Sequence, residues 1–116
     1  MRVVVADDEV LARERLVDLL GRIGSVEVVA EAGDGREAIE LVERLRPDVL
    51  LLDIRMPRMD GLEAAHHLAS FEHAPAIIFC TAYDEHALAA FDANAVDYLL
   101  KPIRLERLRA AIERAG

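Results

Sequence analysis

The feature that most restricts what this chain can fold into is a fivefold alternation of short β-branched runs with helical stripes. Apolar runs stand at Val3 to Val5, Val26 to Val29, Val49 to Leu52, Ile77 to Phe79 and Val96 to Leu100, each the length of a strand once its neighbours are counted. Between them lie Ala12, Leu16, Leu19, Leu20 and Ile23, then Ala38, Leu41, Val42 and Leu45; after the last run come Leu105, Leu108, Ile112 and Ala115. These recur at the i, i+3, i+4, i+7 spacing of one helix face. Two weaker helical segments, Gly61 to Ser70 and Glu85 to Phe91, fill the remaining gaps. Strand and helix in regular alternation predict an α/β fold, a five-stranded parallel sheet with five helices wound on both faces.

The central runs are almost continuously apolar, as strands covered on both faces must be. Val26, Glu27 and Val28 alternate instead, which places the second strand at an edge. Two D-x-x-E boxes, Asp34 with Glu37 and Asp60 with Glu63, read as helix N-caps, each followed by a glycine (Gly35, Gly61). Those two aspartates are expected to be structural.

At 116 residues the chain is expected to be a single domain. No apolar run approaches the ~20 residues of a membrane span, and Arg2 leads directly into a strand-like run, which argues against a signal peptide and for a cytoplasmic protein. The single cysteine, Cys80, suits a reducing compartment and reads as a small core hydrophobe. His66, His67, His73 and His86 show no metal-ligand spacing. A formal net charge of −8 disfavours binding to nucleic acid or to anionic membranes and leaves proteins and cations as partners.

In an open parallel sheet, ligands bind beyond the carboxyl ends of the strands, where strand order reverses. The first run leads straight into Asp7 and Asp8 and the third straight into Asp53, so neighbouring strands would gather three carboxylates. At about 4 Å and an effective dielectric of about 20, each like-charged pair costs on the order of 4 kcal/mol. A cation is the expected compensation, and hard oxygen ligands with room for water suit Mg²⁺. Thr81 follows the fourth run and Lys101 the fifth, which brings a hydroxyl and an ammonium to the same edge. Lys101 is the only lysine, the other thirteen basic residues being arginine, so the position favours a compact point charge. An ionised Asp53 needs no general base to act as a nucleophile toward phosphorus.

Asp7-Asp8-Glu9, Asp53-Ile54-Arg55-Met56-Pro57 with Asp60-Gly61, Thr81-Ala82 and Tyr98-Leu99-Leu100-Lys101-Pro102 together resemble the receiver domains of response regulators over essentially the entire chain. The resemblance implies a flavodoxin-like sheet of order 2-1-3-4-5 with Asp53 as phospho-acceptor. It implies Mg²⁺ held by Asp8, Asp53 and the backbone carbonyl of Arg55, with Asp7 acting through water. Lys101 and Thr81 would contact the phosphoryl oxygens, Thr81 and Tyr98 would form the switch, and Lys101-Pro102 would be a cis peptide. The domain would catalyse only its own phosphorylation and dephosphorylation. It would take the phosphoryl from a sensor histidine kinase and alter the face formed by the 85–91 helix, the fifth strand and the last helix, the face through which it would meet an output domain or a second receiver.

The stretches 8–16 and 91–102 look most like regulators of the LytTR type, including the alginate-regulator group, which carry a DNA-binding output domain after the receiver. The sequence ends at Gly116, so an excised receiver is expected, with a stand-alone or degenerate receiver acting by protein contacts as the alternative. An aspartyl phosphohydrolase of the haloacid-dehalogenase type is a second class, but it wants two acids two residues apart after the first strand, and no D-x-D lies there. A flavin binder on the same fold would need Gly, Ser or Thr where Asp7-Asp8-Glu9 stand. Arg55 and Tyr83 lie near enough to the acids to tune the lifetime of a phosphorylated form.

Overall fold

The structure, a computed structural model, describes residues 1–84, 89–90 and 93–116. Along the chain run β1 (Arg2–Ala6), α1 (Val10–Gly21), β2 (Glu27–Ala32), α2 (Gly35–Leu45), β3 (Val49–Leu52), α3 (Gly61–Leu68), β4 (Ala76–Thr81), β5 (Asp97–Leu100) and the C-terminal helix α4 (Leu105–Ala115). The helix expected over Glu85 to Phe91 falls largely outside the described residues, of which Ala89 and Ala90 are helical. The five strands form one parallel sheet in the order β2-β1-β3-β4-β5. Strand order therefore reverses between β1 and β3.

The two-residue period of the strands sorts the core into two layers. Val4, Ala6, Leu50, Leu52, Ile77 and Phe79 pack with Ala38, Leu41 and Val42 of α2 and with Ala64, Ala65 and Leu68 of α3. The alternate residues Val3, Val5, Val49, Leu51, Ile78 and Leu99 pack on the other face with Leu16, Leu19 and Leu20 of α1 and with Leu108 and Ile112 of α4. Cys80 belongs to this second layer, as a core hydrophobe should. Helices thus cover both faces of the sheet.

As expected, β2 is an edge strand, but it runs later than the apolar stretch Val26 to Val29. It pairs with β1 from Arg2 and Glu27 to Ala6 and Ala32, with a register shift where Val3 faces Val28 and Val4 faces Ala30. The bulge leaves Val29 as the extra residue, so that the consecutive Val29 and Ala30 both pack against the same layer. Both D-x-x-E boxes cap their helices: the Asp34 carboxylate accepts from the Glu37 N–H, and that of Asp60 from the Glu63 N–H. α2 ends on Arg46 in the left-handed region (φ 47, ψ 61), its N–H bonded to the Val42 carbonyl, and Pro47 cannot continue the helix. No helix among the described residues is long and apolar enough to cross a membrane.

Candidate functional site: an acidic cluster at the strand-order reversal

β1 and β3 lie side by side, and their carboxyl ends deliver Asp7 and Asp53 to adjacent positions. The backbone fixes both: the Asp7 N–H donates to the Ala32 carbonyl at 3.0 Å and the Asp53 N–H to the Ala6 carbonyl at 2.9 Å. With Asp8 they form a cluster in which one carboxylate oxygen from each lies within 4.8 Å of the others. Asp7 is fully buried and Asp53 is 6% exposed, whereas Asp8 is open to solvent. Asp7 and Asp8 do not cap α1, as short acids before a helix often do. The N-cap residue is Glu9, without a side-chain bond, and the Asp7 carboxylate instead accepts from the Glu9 N–H at 2.9 Å.

Lys101 reaches this cluster from the end of β5. Its ammonium donates to Asp7 Oδ2 at 2.6 Å and to Asp53 Oδ2 at 3.1 Å. Its own N–H donates to the Thr81 carbonyl at 2.8 Å, which ties it to the neighbouring strand end, and the Lys101-Pro102 peptide is cis. Thr81, the last residue of β4, is fully buried, and its hydroxyl oxygen accepts a long bond of 3.4 Å from the Tyr83 N–H. Tyr98 is half-buried, with its ring centroid 6.3 Å from that of Phe79, and its hydroxyl donates to the Tyr83 carbonyl.

The charges in this corner do not balance. Three carboxylates meet one ammonium, and an open cleft above them is lined by Asp8, Glu9, Asp53, Arg55, Ala82, Tyr83 and Lys101. Burial pushes the Asp53 carboxyl above its ordinary value of 3.8, and the nearby charge of Asp7 pushes the same way; Lys101 and the Ile54 N–H pull it back only in part. For Lys101, burial works against the ammonium, but its bonds to Asp7 and Asp53 outweigh that and raise it above 10.5. Burial likewise drives the Cys80 thiol well up, so it is no nucleophile. The surplus negative charge, the hard oxygen donors and the access from solvent through Asp8 all fit a divalent cation such as Mg²⁺. Asp8 and Asp53 line the cleft, and Asp7 lies behind them, fully buried.

All the sequence-nominated residues Asp7, Asp8, Asp53, Thr81 and Lys101 therefore converge on one edge of the sheet, with Arg55 on its rim and Tyr98 one hydrogen bond from Tyr83. Sequence reasoning missed the role of Gly61. Its N–H donates to the Ile54 carbonyl at 2.7 Å, and a Cβ at this position would fall 2.1 Å from the Asp53 carbonyl oxygen. Only glycine allows α3 to begin that close to the acid. The Asp60-Gly61 pair carried the signal, but it read as a cap and as part of the family motif, with no contact to Asp53 implied.

The sequence profile of the response regulator receiver domain matches residues 3–113. The chain is 51% identical over 117 residues to the positive alginate biosynthesis regulatory protein of Pseudomonas aeruginosa, covering 100% of this chain and 47% of that protein. It is 50% identical over 114 residues to the transcriptional regulatory protein BtsR of Salmonella typhi, covering 98% of this chain and 47% of that protein. The chain thus spans about half the length of these curated relatives. Among solved structures, the response regulatory domain of mrkE from Klebsiella pneumoniae superposes with a TM-score of 0.91 at 34% identity, covering 99% of this chain and 94% of that one. The REC domain of AraT, a response regulator from Geobacillus stearothermophilus, gives 0.87 at 40% identity over 98% of this chain and 92% of that one. With its sheet order, its acidic corner and this match along nearly its whole length, the chain belongs to the response-regulator receiver domains of two-component signalling.

Proposed function

We propose that Asp53 accepts a phosphoryl group from a sensor histidine kinase and that the acyl phosphate so formed switches a distant face of the domain. The observation that carries this reading is the position of the Asp53 carboxylate. It stands at the floor of an open cleft, bonded to Lys101 and beside Asp7 and Asp8. In the transfer a carboxylate oxygen of Asp53 attacks phosphorus, the phosphorus–nitrogen bond of the donor phosphohistidine breaks, and its electron pair returns to the imidazole. The Lys101 ammonium offsets charge on the phosphoryl oxygens, and no base is needed because the nucleophile carries no proton. Asp8, Asp53 and the Arg55 carbonyl, with Asp7 acting through water, would hold Mg²⁺, which would neutralise the remaining charge.

Thr81 and Tyr98 are the switch. The Thr81 hydroxyl accepts only a long bond from Tyr83, so moving it toward a phosphoryl oxygen costs little. The same residue that releases it, Tyr83, holds the Tyr98 hydroxyl. The affected face comprises β5 and α4 and includes Leu100, which is 48% exposed; the helix expected over 85–91 would join it but lies largely outside the described residues. Relatives about twice as long support residues 1–116 as the receiver of a larger cytoplasmic regulator. Its output domain would be DNA-binding and of the LytTR type, and the face would meet that domain or a second receiver. The receiver turns over no external substrate beyond gaining and losing its own phosphoryl group, and it does not itself bind nucleic acid.

Intact-protein mass spectrometry after incubation with acetyl phosphate tests the reading. A single Mg²⁺-dependent phosphoryl adduct is expected in the wild type and none in Asp53→Ala. Absence of the adduct in the wild type would leave a receiver that acts through protein contacts alone, and multiple turnover of a phosphate ester would leave a phosphohydrolase.

A further inference from the structure

Asp7 and Asp53 are held by burial, but Asp8 is open to solvent, so packing does not fix where its carboxylate points. Its direction is set by the backbone from which it hangs, and Arg13 grips that backbone. The Arg13 guanidinium donates through Nη1 to the Asp7 carbonyl at 2.6 Å, which belongs to the peptide that leads into Asp8. Arg13 is the fourth residue of α1, and helical side chains lean toward the N-terminus. Its long arm therefore folds back over the turn Asp7-Asp8-Glu9. A second bond fixes the arm, from Nε to the Glu31 carboxylate of β2 at 3.3 Å, and only 20% of the Arg13 side chain is exposed.

The groups around this peptide are tied to the sheet or to the helix. The Ala6 carbonyl accepts from Asp53 and the Asp7 N–H donates to Ala32, while the Asp7 carboxylate accepts from the Glu9 N–H. The Asp7 carbonyl lies one step further on, past the end of β1, and there the guanidinium supplies a charged donor in place of a strand. We propose that Arg13 is a positioning residue for the metal site: by pinning the Asp7–Asp8 peptide it holds the Asp8 carboxylate where it meets a cation together with Asp53. The inference rests on the reading that these carboxylates bind Mg²⁺. Charge alone predicts the opposite effect of losing Arg13. A guanidinium beside the acids repels a cation, and the Glu31 carboxylate offsets that only in part, being 46% exposed. By charge, removing Arg13 should tighten Mg²⁺ binding; by positioning, it should loosen it.

Calorimetric titration of the unphosphorylated protein with Mg²⁺ separates the two, comparing wild type, Arg13→Met and Arg13→Lys. Methionine keeps the apolar stem and removes the donor; lysine keeps a charged donor on a stem of similar reach. Arg13→Met is expected to bind Mg²⁺ about tenfold more weakly, the lower end of the loss typical when a group that orients a metal ligand is removed. Arg13→Lys should stay within about twofold of the wild type. Unchanged or tighter binding in Arg13→Met, or an Arg13→Lys variant as weak as Arg13→Met, would overturn the positioning role and leave the metal reading intact. Should Arg13→Met not fold, Glu31→Gln takes its place. Titrated in high salt, where the lost charge itself is screened, it is expected to bind about twofold more weakly because Arg13 has lost its second anchor, and an unchanged constant overturns the proposal. A wild type without saturable Mg²⁺ binding would overturn both the positioning role and the metal reading.

Discussion

Two aspartates with largely covered side chains, at opposite ends of the sheet, face opposite electrostatic conditions. Asp97 opens β5 with its side chain 7% exposed, and Asp53 follows β3 with its side chain 7% exposed. Asp97 is gripped by a fork: Arg107 donates to both its oxygens at 2.9 and 2.7 Å, and Arg114 adds a third bond at 3.0 Å. The Arg107 bond chiefly holds its carboxyl below the ordinary 3.8. Asp53 shares the Lys101 ammonium with Asp7, and burial holds its carboxyl above the same value. An acid that serves the fold is given more positive charge than it needs. The acid that serves chemistry is given less, so that something arriving from solvent can complete it.

Removing the shared cation should break the contrast most severely. Stripping one partner from a fully buried ion pair costs about 3–5 kcal/mol; Lys101 keeps 19% of its side chain exposed, so Lys101→Met should cost on the order of 2 kcal/mol at neutral pH. Urea denaturation checks this, and the cost should shrink when Asp53→Asn is introduced as well, since one of the two stranded charges is then gone. An equal cost in both backgrounds would mean that Lys101 serves packing and not charge.

Asp53→Asn alone should do the reverse and stabilise the fold, by roughly 1 kcal/mol at pH 7. The sign follows from the raised carboxyl: folding binds the proton of Asp53 more tightly than the unfolded chain does, so ionising it costs stability as pH climbs past 3.8 and through the folded value. The gain from the amide should therefore be largest at neutral pH and vanish below about pH 3, where Asp53 is protonated in both states. Melts of the two proteins across that range decide it, and a variant less stable than wild type at pH 7 would place Asp53 among the structural acids.

How much of this the sequence discloses depends on where a residue gets its meaning. Asp7, Asp8, Asp53, Thr81 and Lys101 were legible because each stands directly at the end of an apolar run, and parallel strands bring such ends together whatever the side chains are. The caps Asp34 and Asp60 were legible because their partners lie three residues on. Asp97 was not. Its partners are on α4, ten and seventeen residues away, and only the packing of that helix against the sheet turns Arg107 and Arg114 toward it. Gly35 was read as a residue after a cap, yet a Cβ there would fall 2.3 Å from the Met59 carbonyl oxygen, a close approach between the start of α2 and the loop before α3 that no local pattern records. The bulge in β2 was equally hidden, since register belongs to the pair of strands and not to either one.

The smallest expected effect is the most direct check on the comparison. Asp97→Asn keeps the shape of the side chain and removes its charge. Arg107 and Arg114 are 47% and 60% exposed, so solvent screens the pairing and the loss should be about 0.5 kcal/mol at pH 7. Because the folded carboxyl is held below 3.8, its contribution is fully present above that value and disappears as pH falls through the folded one. The wild type should thus lose its advantage over Asp97→Asn on acidification below 3.8, just beyond the region above 3.8 in which it recovers its deficit against Asp53→Asn. Two aspartates in one small domain would then respond to the same protons with opposite signs. If both substitutions shift stability in one direction across that range, the division between a paired structural acid and an under-paired functional one fails.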